Sequence, residues 1–278
     1  MAEPPEFWVR FWGVRGSVPC PGPGTVRYGG NTACVEVRCG EHRLIFDAGT
    51  GLRMLGRAFG NHQGLAAHVL LSHTHIDHVA GFPFFRPAYS PNNRFEFWAG
   101  HLGGRTGALQ AVLADLMKAP IFPVPMNIMH ACIAFHDFAA GEVLRPAPGV
   151  VIRTAPLNHP NGATGYRVEY DGRAVCYVTD TEHRAGALDQ EILALIRGSQ
   201  IVIYDAMYTD EEYPRYRGWG HSTWREGAKL CEAAGAGRLV AFHHDPDHDD
   251  DALDRIAQAM EQVRPGSLVA REGLTLQP

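Results

Sequence analysis

Short apolar runs recur along the chain and predict strands that are buried on one or both faces. Residues 7–11 alternate Phe7, Val9 and Phe11 with Trp8 and Arg10, which reads as the first strand. Residues 34–38 and 43–47 form a hairpin pattern turned through Cys39-Gly40-Glu41-His42. Residues 68–71, 95–98, 150–154, 201–205 and 239–242 each predict a further strand. Residues 165–170 and 173–180 pair across Asp171-Gly172, a strong hairpin signal. Helical spacing covers 52–59, 105–118 (with Leu109, Val112, Leu113 and Leu116 on one face) and 188–196. It also covers 222–234, with Ser222 as the expected N-cap, and 249–263, whose acidic first turn suits the helix dipole. Residues 13–30 are rich in Gly and Pro and read as loop. A short helix after His78 leads into a Pro- and Phe-rich stretch over 81–94. Residues 119–125, with Pro120, Pro123 and Pro125 around Ile121 and Phe122, make a stiff apolar segment that is either a lid or packing. No linker, repeat or low-complexity tract interrupts the order, so one domain over 1–278 is expected.

One polar cluster stands out against this pattern. His73, His75, Asp77 and His78 fall directly after the apolar run Val69-Leu70-Leu71. His73 and His75 are two apart and share a direction in extended chain, while Asp77 and His78 follow as the chain turns. Packed together without a purpose, these groups would desolvate one another and compete for partners. Imidazole and carboxylate together suit metal ions, and this spacing suits two better than one. Further candidates sit at the ends of other apolar strands: His159 after 150–154, Asp180 after 176–179, and His243 after 239–242. A carboxylate such as Asp180 behind a fully apolar strand is costly unless a cation compensates it.

Composition narrows the function classes. The chain has 278 residues, 45% hydrophobic and 20% charged, enough to bury a substantial core. Its formal charge of −5 argues against a nonspecific nucleic-acid binder, which needs a basic face. Cys20, Cys34, Cys39, Cys132, Cys176 and Cys231 form no C-x-x-C and no disulfide framework. Residues 1–10 show no signal-peptide pattern, and no apolar run is long enough for a membrane span, so a cytoplasmic location is expected.

The run His73-Thr74-His75-Ile76-Asp77-His78, preceded by Phe46-Asp47-Ala48-Gly49-Thr50-Gly51, resembles the metallo-β-lactamase superfamily. Residues 13–19 (GVRGSVP) and 27–32 (RYGGNT) bring it nearer the branch of ribonuclease Z and the cyclic-phosphate and cyclic-nucleotide phosphodiesterases. The resemblance implies an α+β fold, the αββα sandwich of that superfamily. It also implies two divalent metal ions, zinc by default with manganese or iron as alternatives. By resemblance, His73, His75 and His159 would hold the first ion, and Asp77, His78 and His243 the second. Asp180 would bridge both. His244 competes with the adjacent His243 for the last position and would otherwise support a ligand from behind or face substrate. Asp47 would accept the outer N–H of a ligating imidazole, or simply form a turn.

A second resemblance is mechanistic. Asp205-Ala206-Met207-Tyr208-Thr209 and Gly218-Trp219-Gly220-His221-Ser222-Thr223 resemble the pair of ribonuclease Z motifs in which an acid orients a histidine beside the scissile phosphate. Asp205 stands where that family carries Glu, one methylene longer. Asp77, His221 and Asp205 are therefore the catalytic candidates, with a hydroxide between the metals attacking phosphorus. Nothing in the chain resembles the long transfer-RNA-gripping arm of ribonuclease Z. The expected substrate is thus a small phosphodiester, a cyclic nucleotide or other cyclic phosphate, in preference to long nucleic acid, and no membrane partner is expected. Phe85 and Phe122 are candidates to wall a base-stacking pocket. Competing readings are a thioester or lactone hydrolase, an iron-dependent sulfur dioxygenase, ribonuclease Z-like processing of transfer RNA, and a non-enzymatic metal-binding protein. Related enzymes are often dimers, so a homodimer is compatible, although no self-complementary patch is visible.

Overall fold

Burial at every second residue of β1 (Phe7–Gly13) sends Phe7, Val9 and Phe11 inward and leaves Trp8, Arg10 and Trp12 half-exposed. The structure, a computed structural model, describes residues 6–278. Met1 to Pro5, part of the stretch read as carrying no signal peptide, lie outside the described residues. Strand β1 pairs antiparallel with β2 (Cys34–Cys39), which turns through Gly40 (φ 58°) into β3 (His42–Phe46). Helix α1 (Gly51–Ala58) then crosses to β4 (Ala66–Leu71), parallel to β3. The one-turn helix α2 (Ile76–Val79) follows, and then β5 (Arg94–Ala99), α3 (Ala108–Leu116) and β6 (Cys132–Asp137) extend the sheet in parallel.

The second half repeats the plan. An antiparallel meander runs through β7 (Val143–Ala147), β8 (Val150–Leu157), β9 (Ala163–Tyr170) and β10 (Arg173–Val178). Helix α4 (Gln190–Ile196), β11 (Ile201–Asp205), α5 (Trp224–Ala233), β12 (Arg238–Phe242) and α6 (Asp250–Val263) then add parallel strands with crossover helices. Short strands β13 (Leu268–Val269) and β14 (Thr275–Leu276) close one edge of each sheet. The sheet orders are β14-β1-β2-β3-β4-β5-β6 and β13-β12-β11-β10-β9-β8-β7.

The two sheets pack face to face over rings that interlock across the interface. Phe46 lies 5.3 Å from both Tyr166 and Tyr177, and Phe242 lies 5.6 Å from Tyr177 and 6.0 Å from Phe11. Outside the first sheet, α1 and α3 bury Leu52, Leu55, Leu109 and Leu113 against Phe95 and Phe97. Outside the second, α4, α5 and α6 bury Ile192, Leu195, Cys231, Leu253 and Met260 against Val202 and Leu239. Four layers result, helix on sheet on sheet on helix, which is the expected αββα sandwich. Strand β11 is buried at all five positions because both its faces are covered, as its unbroken apolar pattern requires.

Several expectations need correction. Edge strands β6, β7, β13 and β14 were not expected. Strand β6 lacks a buried position, so no alternation marks it. Thr223, not Ser222, caps α5, its hydroxyl accepting from the Glu226 amide. Phe85 is fully buried between Phe59 and Phe95 and cannot wall a pocket. Phe122 packs edge-on against Phe84 at 5.7 Å, and the amides of Ile121 and Phe122 both bond back to Lys118, so residues 119–125 fold against the end of their own helix. All six cysteines are free, and no helix among the described residues is long and apolar enough to cross a membrane.

Phe46→Ala should lower unfolding free energy by about 3–5 kcal/mol, because it empties the centre of the inter-sheet ring cluster. A urea midpoint within experimental error of the wild type would show that the sheets do not depend on this contact.

Candidate metal centre

Apart from His221, which lies in the loop before α5, the candidate residues stand at or just after the C-terminal ends of strands. Asp47 follows β3, the 73–78 cluster follows β4, His159 follows β8, Asp180 follows β10, Asp205 ends β11 and His243 follows β12. Asp47, Asp180 and His243 have φ of 60°, 57° and 61°. The left-handed region costs an ordinary residue about 1–2 kcal/mol and is entered most readily by Asn, Asp and His. Here it breaks the strand direction abruptly and turns each side chain inward. Sequence alternation alone would not place them so.

Three groups of donor atoms result: Asp180, Asp205, His221 and His243 form one, and the other two hold the expected metal ligands. In the first, His73, His75 and His159 converge, with His75 Nδ1 3.1 Å from His159 Nε2. In the second, His78 Nε2 lies 3.1 Å from His243 Nε2 and 3.2 Å from Asp77 Oδ2 and from Asp180 Oδ2. His243 Nε2 lies 3.3 Å from the same two carboxylate oxygens. The carboxylate of Asp180 spans both groups. Its Oδ2 faces His78 and His243, while its Oδ1 is 3.8 Å from His73 Nε2 and 3.7 Å from His159 Nε2.

These distances fit cations. Four ligands about 2.0–2.1 Å from a tetrahedral zinc lie about 3.3 Å from one another, close to the spacing in the second group. The tautomers agree. His78 Nδ1 bonds Asp47 Oδ2 at 2.8 Å and His159 Nδ1 bonds the Gly220 carbonyl at 2.8 Å, so each turns Nε2 and its lone pair inward. With their Nδ1 atoms engaged, His78 Nε2, 3.1 Å from His243 Nε2, and His159 Nε2, 3.1 Å from His75 Nδ1, are the nitrogens left to meet a cation. His73 Nε2 is buried with no hydrogen-bond partner among the described residues, an orphan that a cation would satisfy.

Charge balance points the same way. Asp47, Asp77, Asp180 and Asp205 are all buried, and among the described residues no Lys or Arg pairs with them. Burial opposes ionisation of Asp77, but His78 and His243 outweigh it and hold the carboxyl below its ordinary range. Burial likewise opposes ionisation of Asp180, but His243, His78 and His73 hold it well below. Burial lowers the pKa of His73 and of His159, favouring the neutral imidazole that a metal takes.

His221 stands beside this centre. Burial disfavours its cation, but the charge of Asp205 and a 2.9 Å hydrogen bond to it push the pKa up to about 9. Asp205 reaches Nδ1 despite lacking the methylene of Glu. Its other contacts, from the amides of Met207, Ser222 and Thr181, hold the carboxylate in place. His221 Nδ1 is 3.9 Å from Asp180 Oδ1, and its ring stacks on His243 at 5.0 Å.

His244 does not face the centre. It is buried with Nε2 on the Ala270 carbonyl at 2.8 Å, and burial lowers its pKa to about 3. That corrects the expectation that it would meet substrate. Several supporting groups carried no sequence signal. Ser72 and Tyr177 bond Asp47, the Ser17 amide donates to Asp77 Oδ2 at 2.7 Å, and Thr74 bonds His101. Glycines are required at two close approaches. A Cβ at Gly16 would lie 2.4 Å from the His243 ring, and one at Gly220 (φ 88°) would lie 2.3 Å from His159 Nδ1.

Metal content per chain, measured by plasma mass spectrometry, should fall in Asp180→Ala relative to wild type, with binding at both positions weakened. Loss in His243→Ala but not in His244→Ala should distinguish the neighbours. Full metal content in Asp180→Ala would rule out a shared ligand. Gly16→Ala should also weaken metal binding by displacing the His243 ring.

Comparison with known proteins agrees with this architecture. Residues 42–244 match the model of the beta-lactamase superfamily domain. Ribonuclease Z of Mycobacterium bovis is 31% identical over 76% of this chain and 78% of its own length. Ribonuclease Z of Halorubrum lacusprofundi is 27% identical over 84% of this chain and 85% of its own. Among solved structures, a diphosphatase of the PhnP family aligns with a TM-score of 0.71 at 18% identity over 98% of both chains. The short form of human tRNase Z aligns with a TM-score of 0.71 at 17% identity over 97% of this chain and 98% of that one. With paired sheets of this topology, and a matching model that reaches from β3 through Asp180 to His243 and His244, the chain belongs to the beta-lactamase superfamily.

Proposed function

We propose that this protein is a dinuclear-metal phosphodiesterase acting on a small phosphodiester, most simply a cyclic nucleotide or other cyclic phosphate. His73, His75 and His159 would hold one ion, Asp77, His78 and His243 the other, and Asp180 both. When bound, two divalent ions supply positive charge for phosphoryl oxygens and lower the pKa of water to near neutrality. Zinc suits the donor set, and manganese or iron are accepted by the same ligands.

The observation that carries the reading is the Asp205–His221 pair beside Asp180. Asp205 accepts a hydrogen bond from His221 Nδ1–H, which leaves Nε2 as the nitrogen available to a substrate. Among the described residues nothing hydrogen-bonds that nitrogen. A protonated His221 can give its Nε2 proton to a leaving alkoxide, which a phosphodiester needs and an activated thioester does not. Asp205 acts through His221 as a positioning residue. Six free cysteines fit a cytoplasmic setting.

A second reading is favoured by the relatives themselves. Both curated relatives compared are ribonuclease Z, which weakens the expectation that long nucleic acid is disfavoured. Against it stand the net charge of −5 and the short connection from β8 to β9 across residues 158–162, which leaves no projecting arm there.

Metal-loaded protein should hydrolyse bis-p-nitrophenyl phosphate. His221→Ala should lower kcat by roughly 10²–10⁴-fold at unchanged metal content, and Asp205→Asn should lose part of that rate. Bound metal without turnover would refute the phosphodiester and send the search to thioesters. Cleavage of a 3′-extended transfer RNA in preference to cyclic nucleotides would select the second reading.

A further inference from the structure

The chain between β11 and α5 passes beside the metal centre and carries a row of rings. Tyr208 meets His221 edge-on at 6.0 Å and stacks on Tyr216 at 4.4 Å with an interplanar angle of 8°. Tyr216 in turn meets Trp219 edge-on at 5.4 Å. The row starts at His221 and ends on an indole that is 61% exposed.

That indole is held out by a fixed backbone. Gly218 and Gly220, on either side of Trp219, both have φ of 88°, which an ordinary residue would adopt only with strain. The Glu182 carboxylate accepts from the Gly218 amide at 2.8 Å, the Gly220 amide at 2.9 Å and the Tyr213 hydroxyl at 2.9 Å. The Trp219 amide donates to the Tyr216 carbonyl, and the Gly220 carbonyl accepts from His159. The loop is therefore tied to the same side chains that build the centre. A ring already ordered in this way loses little further freedom when it stacks on a ligand.

Its surroundings do not suit a protein or membrane surface. Arg215 and Arg217 beside it are exposed, so the indole, backed by Tyr216, stands next to two cationic side chains and not within a wide apolar patch. It stands two residues from His221, so the two Cα atoms are at most about 7 Å apart. A nucleoside spans that kind of gap between its phosphate and its base. We propose that Trp219 is the platform on which the base of the substrate stacks while its phosphodiester lies over the metal centre. This makes the substrate class nucleoside phosphodiesters, as distinct from base-free cyclic phosphates. The inference rests on the phosphodiesterase reading for the bond that is cleaved, but the platform can be tested without turnover.

Calorimetric titration of the metal-loaded protein with adenosine 5′-monophosphate and with ribose 5-phosphate isolates the base. Wild type should bind the nucleotide at least about tenfold more tightly, in line with base–aromatic stacking. Trp219→Leu should abolish that advantage while leaving ribose 5-phosphate affinity unchanged, and Trp219→Phe should keep part of it. An exposed position makes both variants safe for folding, and a thermal melt checks it. Equal affinity for the two ligands in wild type, an advantage that survives Trp219→Leu, or no measurable nucleotide binding would each overturn the platform. A base advantage that depends on Trp219, in a protein that fails to hydrolyse bis-p-nitrophenyl phosphate, would leave the platform standing and overturn the phosphodiesterase reading alone.

Discussion

The centre depends on one electrostatic constraint: the carboxylate of Asp180 is buried where imidazoles from both sheets meet. A lone buried carboxylate is expensive, and so is a buried imidazole nitrogen without a partner, such as His73 Nε2. Cations between them remove both penalties together. The left-handed turns at Asp47, Asp180 and His243 show that the backbone accepts local strain to hold this arrangement. The opposing sheets make it persist, because no single strand could keep such a turn aimed.

The first sheet supplies His73, His75, Asp77 and His78, and the second supplies His159, Asp180, His221 and His243. The centre therefore exists only when the sheets are packed. The packing reaches right up to it. Phe46 and Phe242 in the inter-sheet core immediately precede Asp47 and His243, and Tyr177 in the same core hydrogen-bonds Asp47 at 2.7 Å. The core and the donor cluster share these residues, so a loosened core would move the clustered donors before it unfolded the chain.

One side of the centre is built for holding and the other for reaching outward. Asp47, Ser72 and Tyr177 lock the buried side through hydrogen bonds among fully enclosed groups. The side that carries His221 is the loop from β11 to α5, pinned by Glu182 and open to solvent at Trp219. A superfamily fold hosts many reactions, and the differences lie in loops placed like this one. The Asp205–His221 pair and the row of rings leading from it are the features of this chain that speak to its chemistry beyond the fold.

Strands with buried faces were legible in the sequence because burial leaves a period of two or an unbroken apolar run. The 73–78 cluster was legible because so many ligand-type residues in six positions have few other uses. Edge strand β6 was not legible, since a strand that buries no residue fully carries no alternation. Phe85 read as a pocket wall because composition cannot say which way a ring points. His243 and His244 are chemically identical neighbours, and only the left-handed turn after β12 decides that one joins the cluster and the other bonds Ala270. Trp219 stands two residues before His221 in the sequence, but only the fold shows that its indole lies in solvent at the end of a row of rings. Local pattern thus determined which segments are strands and which residue types could bind metal. The sheet-to-sheet packing decided which of them meet, because their convergence depends on contacts between residues far apart in the chain.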